Sequence, residues 1–191
     1  MSFIATPVRP RLVVLAGPSG VGKGTVVHQL LTDHPEVYLS VSATTRRPRT
    51  GEVDGVHYHF VSDAEFDQLI DSGGLLEWAT VHGLARYGTP AAPIDEALAA
   101  GRPVLVEIDL DGVRQVRASR PDAMFVFLEP PSVDELVRRL VGRGTESPEE
   151  VERRLITARR EMASRDEFDY VICNDTVERA ADELADLLGL H

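Results

Sequence analysis

Leu12-Val13-Val14-Leu15-Ala16-Gly17-Pro18-Ser19-Gly20-Val21-Gly22-Lys23-Gly24-Thr25 carries an apolar run into a glycine-rich one, and Val26-Val27-His28-Gln29-Leu30-Leu31 follows with amphipathic spacing. Strand, glycine-rich turn and helix, in that order, form the context of a phosphate-binding loop. Glycines let the backbone curl until several N–H groups face one anion. The helix that follows adds the positive end of its dipole. Lys23 is placed to reach the β- and γ-phosphates of a nucleotide as a point charge. A plain strand-to-helix turn with an exposed lysine is the competing reading; spacing, lysine and flanks together speak against it. The usual pattern has Ser or Thr directly after the lysine. Here Gly24 stands there, and the hydroxyl comes one residue later, at Thr25.

Outward from this loop, 191 residues suffice for one domain with inserted flaps. A composition 43% hydrophobic and 27% charged is that of an ordinary globule. The net charge of −11 disfavours non-specific binding to nucleic acid or to an anionic membrane. An anionic substrate then has to be met by a local basic cluster, and Arg46, Arg47 and Arg49 supply one in the loop 43–52. Cys173 is the sole cysteine, so no intramolecular disulfide forms, and its apolar strand-like setting points to packing rather than catalysis. Residues 1–10 read as a loose leader without the apolar core of a signal peptide. No apolar run approaches membrane-spanning length, so a cytoplasmic location is expected.

The rest alternates strands and helices. Arg11–Ala16 reads as the first strand, then a helix to about Thr32, then alternation over Tyr38–Ser42 as a strand. Gly55 marks a turn before a short strand ending at Phe60. His57 and His59 there read as partly exposed strand residues, since no third metal ligand has suitable spacing. Ser62-Asp63-Ala64-Glu65 is a capping box for a helix that Gly73-Gly74 ends. Leu75–Ala79 reads as a strand with one carboxylate, Glu77, facing either solvent or a ligand. Arg86–Pro90 reads as a loop, and 91–100 as a helix. Pro103–Asp109 is an apolar run with acids at its tip, as in a buried parallel strand that ends at a nucleotide site. A helix or turn over 111–118, a strand over Ala123–Leu128, helices from Ser132 and Ser147, a strand over Asp169–Cys173 and a last helix complete the chain. Arg139, Arg143 and Arg154 have the spacing to converge on a cleft, whereas Arg153, Arg159 and Arg160 read as surface ion-pair residues. The pattern predicts an α/β fold: a five-stranded parallel core sheet with helices on both faces, interrupted by an inserted mixed segment over about 38–90.

Ser40-Val41-Ser42-Ala43-Thr44-Thr45-Arg46, Arg49-Thr50-Gly51-Glu52, Gly55, Tyr58 and Phe60 resemble, almost without change, the GMP-binding signature of the guanylate kinases. Glu77-Trp78, Tyr87-Gly88-Thr89, Glu107-Ile108-Asp109, Pro130-Pro131-Ser132, Arg143-Gly144-Thr145-Glu146 and Asn174-Asp175 match in order, so the resemblance spans about residues 11–189. Gly-Lys-Gly-Thr at 22–25 is likewise similar to the loop of adenylate kinases and many bacterial guanylate kinases. The resemblance implies a P-loop NTPase-type core over about 11–37, 91–140 and 152–189, a GMP-binding flap over 38–90 and a small lid over about 141–151. It implies that Gly17, Pro18, Ser19, Gly20, Val21, Gly22, Lys23, Gly24 and Thr25 hold the ATP phosphates, with Asn174 near the adenine. Arg46, Arg49, Tyr58 and Tyr87 would hold the GMP phosphate. Ser42, Glu77 and Thr89 would read the guanine, with Asp109 beside them. Lys23, Arg46, Arg139, Arg143 and Arg154 would act on the transferring group. Mg²⁺ is the implied cofactor, with Thr25 or Asp109 in its oxygen shell. The expected partners are ATP and GMP, with neither nucleic acid nor membrane, for a monomer or homodimer. Thr89 stands where some members have Ser, Asp111 where Gln is common, and the stretch 81–86 lacks a second aromatic before Tyr87. A non-catalytic interaction module of this fold, or a kinase for a sugar phosphate, are the alternative readings.

Overall fold

The computed structural model describes residues 11–81, 84–141 and 148–190. The apolar run becomes β1 (Leu12–Ala16), with all five residues buried. The glycine-rich turn leads into α1 (Lys23–Asp33), and β2 (Tyr38–Leu39), β3 (Ala43–Thr44) and β4 (His59–Phe60) follow. Next come α2 (Asp63–Asp71), β5 (Leu75–Val81), β6 (Ala85–Pro90) and α3 (Ala92–Ala99). Then β7 (Val104–Glu107), α4 (Leu110–Ser119), β8 (Met124–Glu129), α5 (Val133–Val141) and α6 (Pro148–Met162) lead to β9 (Tyr170–Cys173) and α7 (Val177–Leu188).

Five strands form a parallel sheet in the order β2-β7-β1-β8-β9. β1 is central because it is apolar on both faces. Val13 and Leu15 point to one side, where α1 and α7 cover them through Val26, Leu30 and Leu184. Leu12, Val14 and Ala16 point to the other, against Ile94 of α3 and Val113 and Val116 of α4. The order jumps from one side of β1 to the other, which opens a crevice at the strands' C-terminal ends, where the phosphate loop lies.

A second, four-stranded sheet has the order β4-β3-β6-β5. It departs from the sequence reading in two places. The run Tyr38–Ser42 is not one strand: Tyr38-Leu39 pairs with β7 in the core sheet, and the chain then crosses to β3 in the second sheet. Arg86–Pro90 is not a loop: it lies within β6, antiparallel to β5. The signals that suggested a loop have structural uses. A side chain at Gly88 would come 2.9 Å from the Glu77 carbonyl and from Trp78 Cβ, so glycine permits close pairing. Pro90 sits at the strand end, opposite Leu75. The capping box at Ser62 forms as expected, with Ser62 Oγ accepting from the Glu65 N–H and the Glu65 carboxylate accepting from the Ser62 N–H. At α5 only half of a box forms: Ser132 Oγ accepts from the Glu135 N–H, and the Glu135 carboxylate turns to Arg138 and Arg139.

Candidate active site

The phosphate loop leaves β1 at Gly17, where any side chain would run into the Leu128 carbonyl of β8. Gly20 and Gly22 take φ of 82° and 99°, the left-handed region that glycine adopts without steric cost. The Val21 N–H donates to the Pro18 carbonyl at 3.2 Å, closing the turn. Lys23 opens α1, and its Nζ donates to the Gly17 carbonyl at 2.7 Å. Burial draws the Lys23 ammonium below its ordinary pKa, against the attraction of Glu107, Glu161 and Asp109. Gly24 and Thr25 are exposed on the first turn of α1. The backbone N–H of Ser19 donates to Glu161 Oε2 at 3.0 Å, so a carboxylate from α6 occupies one of the loop's own donors.

Two expected nucleotide residues brace this loop from behind. Asn174, 3% exposed, donates from Nδ2 to the Val21 carbonyl at 2.8 Å. Arg139 donates to the same carbonyl at 3.0 Å, to the Asn174 carbonyl at 3.3 Å and to Glu135 at 3.1 Å. Arg139 and Asn174 therefore meet the loop's backbone and each other.

Beside the loop, a cavity of about 310 Å³ is lined by Ser42, Tyr58, Glu77, Ala79, Val81, Tyr87, Glu107, Ile108 and Asp109. It joins both sheets. Glu77, Ala79 and Val81 are alternate residues on one face of β5. Glu107 and Asp109 come from the end of β7. A register shift between Leu75 and Glu77 buries both Leu76 and Glu77, which simple alternation would not. Thr89 lies directly across from Glu77, and its hydroxyl donates to Glu77 Oε1 at 2.6 Å. Burial raises the Glu77 pKa, the Thr89 hydrogen bond opposes that, and the Asp109 charge adds to the rise. Burial likewise raises Glu107, against the pull of Lys23. Asp109 is the N-cap of α4, its Oδ1 accepting the Gly112 N–H at 2.8 Å.

At the cavity's rim Arg46 is held on several sides. Its guanidinium forks onto Glu52, with both contacts at 2.9 Å, donates to the Tyr87 hydroxyl at 3.1 Å and lies 5.4 Å from the Tyr58 ring centre. Hydrogen bonding from Arg46 and from the Arg49 N–H holds the Glu52 carboxyl at a pKa of about 2. Arg49 has its side chain on the surface of the same loop.

The structure thus gathers Ser42, Tyr58, Glu77, Tyr87 and Asp109 around one cavity, places Thr89 behind Glu77, and links Arg46 to it through Tyr87. Arg143 lies outside the described residues, and so does the side chain of Arg154 on α6. Glu52, Glu161, Gly112 and Gln115 were not singled out from the sequence. Glu52 had a signal, a carboxylate inside an arginine loop; the other three are brought in by tertiary contacts alone. Among the described residues no three His, Cys, Asp or Glu side chains cluster as a metal cage. The oxygen donors near the loop, Thr25 and Asp109, suit a hard cation that takes much of its shell from phosphate and water.

The family model for guanylate kinase matches residues 9–190. A guanylate kinase of Streptomyces coelicolor is 63% identical over 189 residues, spanning 99% of this chain and 95% of that protein. One from Thermobifida fusca is 62% identical over 179 residues, spanning 94% and 91%. The crystal structure of guanylate kinase from Anaplasma phagocytophilum superposes with a TM-score of 0.73 at 33% identity, covering 94% of this chain and 84% of that one. With glycine-rich loop, arginine loop and buried carboxylate in place across its length, the chain belongs to the guanylate kinase family.

Proposed function

We infer that the protein transfers the γ-phosphate of ATP to GMP, giving ADP and GDP. The observation that carries this reading is the buried Glu77 carboxylate in a cavity that runs from the arginine-tyrosine rim to the acids beside Lys23. Guanine presents N1–H and the N2 amino group side by side, and a carboxylate is an acceptor-only group with two oxygens at matching spacing. Thr89 spends its single O–H on Oε1 and so orients the acceptor, which leaves the Ser42 hydroxyl for guanine O6. Arg46 makes four hydrogen bonds from its five N–H donors, so Glu52 and Tyr87 fix its plane while its charge and remaining donor meet the GMP phosphate.

The loop N–H groups and Lys23 hold the ATP phosphates. The attacking GMP phosphate oxygen is ionised near neutral pH, so no general base is required, and catalysis rests on positioning and on neutralising charge. Thr25 and Asp109 would hold Mg²⁺ on the protein side, and the ion would supply further charge neutralisation on the phosphates. Arg139 keeps the loop in shape, Arg143 arrives with a lid over about 141–151, and Arg154 comes from the core beside that lid. Closure of the flap over 38–90 and of this lid excludes water, which would otherwise accept the phosphate. No helix among the described residues is long and apolar enough to cross a membrane. The proposed action is on free nucleotides, in the cytoplasm. The intact Lys23 loop and the full-length match to relatives named guanylate kinase stand against an interaction module. Glu77 stands against a sugar phosphate.

A panel of ATP with each nucleoside monophosphate tests the reading. GMP is expected to be preferred over AMP by roughly 10⁴-fold in kcat/KM, the order reached by sites built around specific polar groups. Comparable rates on AMP and GMP would overturn the guanine assignment and leave the phosphate-loop kinase standing.

A further inference from the structure

Helix α4 lies against β5 and puts two residues on Glu77 and its immediate backbone. Gly112 is buried, and its φ is not in the left-handed region, so alanine would be favoured there by helix propensity. What glycine provides at this position is space. A Cβ would stand 3.0 Å from Glu77 Oε2, 3.2 Å from Cδ and 3.3 Å from Cγ. Three residues further on, on the same helix face, Gln115 uses its amide as a strand would. Its Oε1 accepts the Trp78 N–H at 3.1 Å, and its Nε2 donates to the Trp78 carbonyl at 3.0 Å. β5 is the edge strand of its sheet, so this side chain satisfies backbone groups that no neighbouring strand reaches. The Glu77 carboxylate is therefore located from three directions: Thr89 on Oε1, Gly112 against Oε2, and Gln115 on the next peptide.

We propose that Gly112 and Gln115 are specificity-determining positioning residues: α4 fixes where the Glu77 carboxylate stands and thereby sets the guanine contact. The inference rests on the assignment of Glu77 to the guanine. A methyl group at 112 pushes three side-chain atoms of Glu77 by a few tenths of an ångström while Thr89 holds Oε1. The forked contact with N1–H and N2–H then loses its alignment, and the phosphate loop is untouched.

The test is steady-state kinetics on Gly112→Ala and Gln115→Ala, with Glu77→Ala and the Gly112→Ala/Glu77→Ala pair. Gly112→Ala is expected to lower kcat/KM for GMP roughly ten-fold, through KM for GMP, with KM for ATP and the melting temperature held. In the Glu77→Ala background, where there is no carboxylate to displace, the same change is expected to cost less than about two-fold. Gln115→Ala is expected to raise KM for GMP without changing KM for ATP. A generally destabilised protein would move both KM values and would lose as much in either background. That result, or a normal KM for GMP in both Gly112→Ala and Gln115→Ala, would overturn the positioning role. If Glu77→Ala itself kept the preference for GMP over AMP, the guanine assignment would fall first and this inference with it.

Discussion

Glu77 places function and stability in opposition within one side chain. It is 8% exposed, its one strong partner is a neutral hydroxyl, and Asp109 adds like charge. A carboxyl whose folded-state pKa is raised above the ordinary 4.5 stabilises the fold fully only below that value. Its contribution is lost as pH rises through the raised folded-state pKa. Once ionised, Glu77 is a buried charge that awaits the donors of a base. Glu77→Gln removes the charge, retains an acceptor for Thr89, and presents an NH₂ where guanine also presents donors. The variant is expected to melt at or above the unmodified protein at pH 8, with the difference closing as pH falls below the carboxylate range. It is also expected to lose at least roughly ten-fold in kcat/KM for GMP, about 1.4 kcal/mol. Melting curves across pH, read beside kinetics on the same samples, check both halves; a lower melting temperature at pH 8 would show that the charge is compensated. Gly112 illustrates the residue-scale limit of a sequence. Nothing near it in the chain indicates that its missing side chain leaves room for Glu77, which is 35 residues earlier by the numbering, 112 − 77.

At the scale of elements, legibility follows the locality of the signal. β1, α1, the capping box at Ser62 and the buried run of β7 were readable because period, caps and apolar runs lie within a few residues. β6 was misread because its Gly88 and Pro90 speak the language of turns while serving a pairing partner in β5. The residues that shape the site from distant elements had no local signal, and Glu161 is the plainest case. It sits 142 residues from Ser19, yet its carboxylate accepts a phosphate-loop N–H at 3.0 Å. A nucleotide phosphate seeks the same kind of donor, so α6 must yield this contact when the loop is filled. Replacing the carboxylate by an amide weakens the competitor, since hydrogen bonds to charged groups exceed neutral ones by about 1 kcal/mol. Glu161→Gln is expected to bind ADP two- to five-fold more tightly, on the order that difference allows, with the melting temperature of the free protein little changed. Isothermal calorimetry measures it. Weaker ADP binding would instead make Glu161 a supporter of the loop, acting through its attraction for Lys23.

On the scale of the whole molecule, the proposed function gives the two substrates different main supports. The phosphate loop rises from β1 of the five-stranded sheet, and the cavity proposed for guanine is walled by β5 and β6 of the four-stranded one and closed by the end of β7. In-line transfer requires the two to meet, so the proposed closure moves the second sheet, and its attachments decide how. One edge is tied down: Leu76 packs into the core beside Ile94 and Val113, and Gln115 holds Trp78 by both backbone groups. The opposite edge, β4, joins the loop that carries Arg46 and Glu52, and Val56 there is 66% exposed. A sheet anchored along β5 and exposed along β4 is expected to close as a flap hinged at β5. On that expectation Glu77 stays put while Arg46 travels. Spin-label pairs can separate this from a rigid shift of the whole sheet. With Cys173 replaced by Ser, labels at Val56 and at Glu178 on α7 are expected to draw together when ADP and GMP are both bound. Labels at Thr80 on β5 and Ala118 on α4 are expected to keep their distance in every state. Equal changes in the two pairs would mean that β5 slides on α4. The Gln115 clamp would then be broken during turnover, and guanine would be read by a carboxylate that arrives with the flap and does not wait for it.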